Sequence, residues 1–211
     1  PMARGLMLLH DIVAWMPEGA ALFERAAATL RAGGMRDDVA LGAVLGFQGY
    51  FLQLRRPLAG ERLLEEAVAM FERIGETGRQ ANALLHLGTV KLAGAHMRDA
   101  LDRYIEAERL ADTVGDALTR SWAISYQGVI ALLTGDTATA RDLFAGCLAA
   151  WRRQEFQRGV ASALTWLSET ARVAGMAAES ATLAREALQM SSAGHDWPVM
   201  GRVLRELGAL A

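Results

Sequence analysis

The strongest constraint on the fold is a sequence pattern that returns every forty residues. Its first part begins with leucine or isoleucine and ends in a small residue four positions later, at 84–88, 124–128, 164–168 and 204–208. Its second part begins twelve residues after that small residue, as Ala100, Tyr104 and Ala107, then Ala140, Phe144 and Cys147, then Ser180, Ala184 and Ala187. A fixed period of this kind predicts a solenoid, in which one helical hairpin is repeated and stacked.

The small residues that end the first part have a steric explanation. We expect Gly88, Gly128 and Ser168 to lie where the second helix of a hairpin crosses the first. A larger side chain there would push the axes beyond the ~8–10 Å at which helices pack. The small residues twelve positions later are expected to face them, while Tyr104 and Phe144 fill the space beside this contact.

The period predicts an all-α solenoid of about eleven antiparallel helices, forming one repeat domain over residues 1–211. Five hairpins and a final helix are expected at about 3–34, 37–75, 79–115, 117–153, 157–193 and 198–210. The helices of the last three hairpins are expected at about 79–94 and 97–113, 117–134 and 137–153, and 157–174 and 177–192. Asp37 or Asp38 is placed to cap a helix, Pro57 suits a first turn, and Gly135 with Asp136 suits a turn and cap. Because one helix is left unpaired, we expect a fragment of a longer protein, with a terminal cap as the alternative.

The residues Leu84-x-x-Leu87-Gly88, followed by Ala100-x-x-x-Tyr104-x-x-Ala107, resemble the tetratricopeptide repeat (TPR). The period of forty exceeds the usual ~34, and leucine or isoleucine replaces the leading tryptophan. The longer hairpins are most similar to the TPR-like sensor regions of MalT-like (STAND) signal-transducing ATPases and transcription regulators. This resemblance implies a right-handed superhelix that receives an inducer or partner for a nucleotide-binding domain elsewhere in the protein.

Motifs for catalysis, metal binding and nucleotide binding are missing from the sequence. It contains no P-loop, no zinc-protease motif, no nucleophile elbow and no C-x-x-C pair. The histidines, at 10, 86, 96 and 195, lack the i, i+4 spacing of a helical metal pair. Cys147 occupies a repeat position that holds alanine elsewhere, so we predict a small buried residue. The sequence therefore predicts a protein that is not an enzyme and needs no cofactor or metal.

Charge and hydropathy limit the partners. The formal net charge of −2 argues against direct nucleic-acid contact, because nucleic-acid surfaces are usually basic. No uninterrupted apolar run approaches the ~18 residues of a membrane helix. We therefore expect a cytoplasmic protein without a membrane segment.

A binding surface is predicted on the first helices of the hairpins, which line the concave wall of such an array. Four successive repeats place aromatic or imidazole rings at equivalent positions, namely Phe47, His86, Tyr126 and Trp166. Further candidates on the same wall are Tyr50, Asn82, Trp122, Thr165, Glu169 and Arg172. The ring column either contacts a peptide or apolar ligand or packs between neighbouring first helices, and packing is the favoured interpretation. The i, i+3 spacing of Glu169 and Arg172 also fits a surface ion pair.

The function predicted from these features is a sensor or interaction module of a larger bacterial signal-transduction regulator. Its partner would be a peptide, a protein or a small-molecule inducer, bound on the concave face. The alternative is a scaffold that joins proteins through its outer face or self-associates through its C-terminal helix. The apolar residues of that helix, Val203, Leu204, Leu207 and Leu210, motivate the alternative.

Overall fold

The computed structural model describes residues 16–34, 38–52 and 56–193, and all nine elements within them are α-helices. They are α1 (Met16–Ala32), α2 (Val39–Leu52), α3 (Pro57–Ile74), α4 (Thr77–Ala93), α5 (Met97–Thr113), α6 (Ala117–Leu133), α7 (Thr137–Arg153), α8 (Gln157–Val173) and α9 (Ala177–Ala193). The all-α prediction is confirmed for this part of the chain. The predicted helices at 3–15 and 198–210 lie outside the described residues, so the count of eleven helices is not supported.

The chain divides into two units, residues 1–120 and 121–211, with the boundary inside α6. In the first unit the packed pairs of consecutive helices run from α1 with α2 to α4 with α5, and α2 also contacts α4. In the second unit α8 packs against both α7 and α9. Consecutive hairpin packing is therefore confirmed within each unit, whereas the single domain over 1–211 stays a prediction. Among the described helices, none combines the length and apolar character needed to cross a membrane.

Left-handed residues follow the helices from α3 to α8 at intervals of twenty positions. They are Gly75, Ala95, Gly115, Gly135, Glu155 and Gly175, with φ between 54° and 87°. In each turn the next backbone N–H donates to the carbonyl five residues earlier, at 2.8–3.0 Å. This is the Schellman arrangement, which satisfies carbonyls at the end of a helix. Since α4 to α9 each contain 17 residues, the forty-residue period consists of two helix-and-turn segments of equal length.

Aspartates at several helix starts bind the free backbone N–H groups. Asp38 Oδ1 accepts from Ala40 N at 2.6 Å, so Asp38 fills the predicted capping role, while Asp37 lies outside the described residues. Asp136 accepts from Thr139 N at 3.0 Å, and this bond holds the pKa of its carboxyl below the ordinary value. The predicted caps and Pro57, at the start of α3, are confirmed.

Glycines on first helices make room for large side chains of second helices. A Cβ on Gly88 would lie 2.5 Å from the ring of Tyr104, and one on Gly128 would lie 2.8 Å from Phe144. The rings therefore fill the space beside these glycines, as expected, while the facing of the glycines by Ala100 and Ala140 stays a prediction. Small residues do face each other between α8 and α9, where Ser168 Oγ donates to the carbonyl of Ser180 at 2.8 Å.

Candidate binding surface

The first unit brings together predicted site residues from α2 and α4. The rings of Tyr50 and His86 have centroids 4.7 Å apart, and both residues are half-buried. In the repeat pattern the position of His86 is equivalent to that of Phe47. The ring that contacts His86 is instead Tyr50, about one helical turn after Phe47 on α2. Asn82 is also half-buried and precedes His86 by four residues, on the same side of α4.

Thr89 extends this stripe of α4 by one more turn. Its hydroxyl donates to the carbonyl of Leu85 at 3.1 Å and lies 3.5 Å from the Tyr104 hydroxyl. We call the surface formed by Tyr50, Asn82, His86 and Thr89 the α2–α4 face. It combines two rings with one amide and one hydroxyl, so it offers both contact area and hydrogen-bonding groups.

Phe47 has a different environment from the other predicted residues of the first unit. Its ring centroid lies 5.4 Å from that of Phe23 in α1, and Phe23 stacks on Phe51 at 5.7 Å. These side chains belong to the core cluster between α1, α2 and α3. Phe47 therefore packs against a second helix, whereas the packing interpretation placed the partner of each ring on a neighbouring first helix.

The second unit contains an aromatic cluster around Trp122 of α6. Its ring centroid lies 6.2 Å from that of Tyr126, 4.8 Å from that of Trp151 in α7 and 6.2 Å from that of Phe156, which precedes α8. Trp151 is fully buried, and its indole requires Gly159, where a Cβ would lie 2.5 Å away. Sequence analysis identified Trp122 and Tyr126 but missed Trp151 and Phe156.

One signal in the repeat pattern could have revealed Trp151. The equivalent positions forty residues before and after it hold Ala111 and Ser191, both of which are buried. A tryptophan in place of a small buried residue must displace neighbouring side chains or face a glycine. Gly159 supplies that space.

The remaining predicted residues lie on α8, and two of them make internal contacts. Thr165 is 1% exposed, and its hydroxyl donates to the carbonyl of Ala161 at 2.8 Å. The Trp166 ring stacks on Phe144 of α7 with centroids 5.8 Å apart and planes 7° from parallel. Glu169 and Arg172 are half-buried on the next turns. Thr165 therefore lies in the core, and Trp166 has one ring face covered by the preceding helix.

No group of three or more potential metal ligands occurs among the described residues. Cys147 is buried, as predicted, and its thiol donates to the Ser121 carbonyl at 3.3 Å. These surfaces present aromatic rings and a side-chain amide, and aromatic rings are frequent anchors at binding interfaces.

Solved structures with the same arrangement of helices were found by comparison. A Rap protein complexed with Competence and Sporulation Factor matches 99% of this chain with a TM-score of 0.75 and 13% sequence identity. Aspartyl phosphate phosphatase F from Bacillus subtilis matches 86% of it with a TM-score of 0.74 and 11% identity. A putative kinesin light chain from Podosopora anserina, with nearly identical TPR-like repeats, matches 92% with a TM-score of 0.66 and 12% identity.

This is a TPR-like repeat fold. At these identities the likeness concerns the fold alone. The chain covers 94% of the kinesin light chain structure, but 60% of the Rap protein and 47% of the phosphatase. No protein-family model matches the sequence, and no similar sequence was found among curated proteins. The comparisons give no support to the resemblance to STAND ATPases or to a role in transcription regulation.

Proposed function

We propose that this chain is a non-enzymatic recognition module that binds a peptide or a protein segment on the α2–α4 face. The observation that carries the proposal is the contact of Tyr50 with His86, which places two half-buried rings from different hairpins side by side. The Rap protein with the same fold was solved with Competence and Sporulation Factor bound, which supports a binding role for such an array.

The chemistry of the face suits a polypeptide. Aromatic side chains supply large contact areas at low entropic cost and often anchor interfaces. The Asn82 amide carries both donors and an acceptor, so it matches the alternating N–H and C=O groups of an extended backbone. A small-molecule inducer could use the same rings but lacks the repeated N–H and C=O groups of a backbone. A polypeptide is therefore the preferred partner.

In the second unit, Trp122, Tyr126, Glu169 and Arg172 remain candidates for binding, while the burial of Thr165 argues against direct contact. The module would also suit the sensor part of a larger regulator. In that role the partner would favour one arrangement of the helices over another by binding it more tightly.

The alternative is a scaffold acting through the outer face of the second helices. Ile105 of α5, which is 49% exposed, supports it. Charged residues on other second helices are instead engaged with one another. Arg31 of α1 binds Glu66 of α3 at 2.6 Å, and Arg152 of α7 binds Glu186 of α9 at 2.8 Å. The outer face is therefore the weaker candidate.

The proposal is tested by selecting peptides from a random dodecapeptide library on the full chain and measuring their affinity by fluorescence anisotropy. Asn82→Leu removes the amide at similar size and should weaken binding about tenfold, which corresponds to ~1.4 kcal/mol. Gln80→Leu is the matched control, since residues two apart on a helix do not share a face. The control variant should bind like the wild type.

Two outcomes would overturn the proposal. One is a selection that yields no peptide binding to the purified chain. The other is unchanged affinity in Asn82→Leu together with a large loss in Ile105→Ser, which would assign binding to the outer face. Thermal unfolding of each variant establishes that a loss of affinity does not reflect a loss of folding.

A further inference from the structure

Helix α2 contains no charged residue along its whole length, VALGAVLGFQGYFL. Eight of its fourteen residues are buried, and the helix packs against α1, α3 and α4. Ala43, Phe47 and Tyr50 are half-buried and form much of what the helix leaves accessible. A partner lying along this side of α2 therefore meets no charged side chain of that helix.

Both cations of α4 are held by carboxylates of neighbouring residues. Lys91 Nζ lies 2.6 Å from Glu61 Oε1 and 3.7 Å from Glu65 Oε1, both on α3. The hydrogen bond to Glu61 raises the pKa of the Lys91 ammonium, so it stays charged and paired. Arg79 Nε lies 3.3 Å from Glu76 Oε2, before the start of α4. With these pairs, the described helices α2 and α4 carry no uncompensated lysine, arginine, aspartate or glutamate side chain.

Charged residues are frequent elsewhere in the same unit. The next helix, α5, carries five acidic and three basic residues in the sequence MRDALDRYIEAERLADT. Its exposed positions include Arg98, Asp102, Arg109 and Asp112. Charge is thus abundant on the second helix of this hairpin and balanced or missing on the α2–α4 face.

We infer that the α2–α4 face selects an uncharged, apolar peptide segment. The inference rests on the proposed function and specifies its partner. A charged side chain brought against this face would lose hydration without meeting an opposite charge, which is costly. A neutral segment loses little hydration free energy, and its backbone can pair with the Asn82 amide. The face therefore rejects charged segments by desolvation and accepts apolar ones by ring contact.

The test uses the peptides selected on the full chain, assayed at pH 8 to keep imidazole charge low. We expect the enriched sequences to share an uncharged core of aromatic and aliphatic residues. Their Kd should change less than twofold between 50 and 500 mM NaCl. Salt weakens attraction between charges, and no ion pair forms when a neutral peptide binds. Replacing one core residue of the peptide by Asp or Lys should weaken binding at least tenfold.

Asn82→Asp supplies a matched test, since it adds one charge with almost no change of shape. It should weaken the neutral peptide about tenfold and improve binding of the same peptide with a lysine in its core. Selected peptides of high net charge, or a Kd that rises more than fivefold with salt, would overturn the inference while leaving the proposed function standing. If no peptide binds, the proposed function fails and the inference with it.

Discussion

The ring of Tyr104 occupies the space that a side chain on Gly88 would need, because a Cβ built there would lie 2.5 Å from Tyr104 Cε1. The same relationship recurs forty residues later between Gly128 and Phe144, at 2.8 Å. Tyr104 and Phe144 are both fully buried, so neither ring can move aside into solvent. Each hairpin of this kind is therefore closed by one glycine and one aromatic ring.

Gly128→Ala should lower the free energy of unfolding by about 1–3 kcal/mol, since overpacking a buried contact strains the core. Gly146→Ala, in the same unit, is the matched control because a Cβ there meets nothing within 4 Å. That control should instead stabilise α7 by about 0.5–1 kcal/mol through helix propensity. Urea unfolding of the two variants beside the wild type checks both signs. Equal effects in the two variants would contradict the role assigned to Phe144.

Ala95 and Gly115 occupy equivalent turns with φ of 62° and 68°. Ala95→Gly should stabilise the protein by about 0.5–1 kcal/mol, because the left-handed conformation is sterically unfavourable for a residue with a Cβ. Gly115→Ala should destabilise by about 1 kcal/mol for the same reason. Thermal unfolding of both variants under identical conditions tests whether their stability changes have opposite signs. A stabilising effect of Gly115→Ala would show that this turn does not require the left-handed conformation.

The ion pair of Lys91 with Glu61 should contribute a pH-dependent part of the stability. Lys91→Met keeps most of the aliphatic stem and should cost about 1 kcal/mol at pH 7 by removing a charge-assisted hydrogen bond. Because the pKa of Lys91 is raised in the folded protein, this contribution is complete below the unfolded pKa of ~10.4 and is lost as pH rises through the folded pKa.

The measurement is the difference in unfolding free energy between wild type and Lys91→Met, taken at pH 7 and again above pH ~11. We expect the difference to shrink at the higher pH. Arg79→Met is the control, since its pair with Glu76 is well exposed and should contribute less than ~0.5 kcal/mol. A difference that is constant from neutral to alkaline pH would refute the contribution of Lys91.

The hairpin of α8 and α9 is closed by a hydroxyl contact in place of a ring. Ser168 Oγ donates to the Ser180 carbonyl at 2.8 Å, and the position equivalent to Tyr104 and Phe144 holds Ala184. Ser168→Ala should cost about 1 kcal/mol, the typical net value of a buried hydrogen bond. Thr182→Ala, which removes an exposed hydroxyl from α9, should change stability by less than ~0.5 kcal/mol. Chemical denaturation of both variants tests the difference.

The repeat period predicted the helices of the last three hairpins well, because several turn glycines and aspartates follow the period. Gly135 and Gly175 adopt the left-handed conformation at these turns, and Asp136 caps the helix that follows. The turn after α4 was less predictable. Gly94 has φ of −80°, and the neighbouring Ala95 takes the left-handed conformation instead. At this turn the glycine and the left-handed residue do not coincide.

The contacts of the candidate site residues follow less directly from the sequence, because periodicity fixes equivalent positions but not crossing angles. It placed Phe47 level with His86, whereas the ring that contacts His86 is Tyr50. Where ridges of one helix enter grooves of another depends on side-chain size at the crossing. Burial of Thr165 and the stacking of Trp166 on Phe144 likewise depend on neighbouring helices that the repeat pattern alone does not position.

The charge-free sequence of α2 restricts how the protein can be shortened for laboratory work. Removing α1 or α4, which both contact α2, would uncover part of an apolar helix that has no ionic group to keep it in solution. Recombinant pieces that retain α2 should therefore extend at least from Met16 to Ala93, and shorter ones are expected to precipitate.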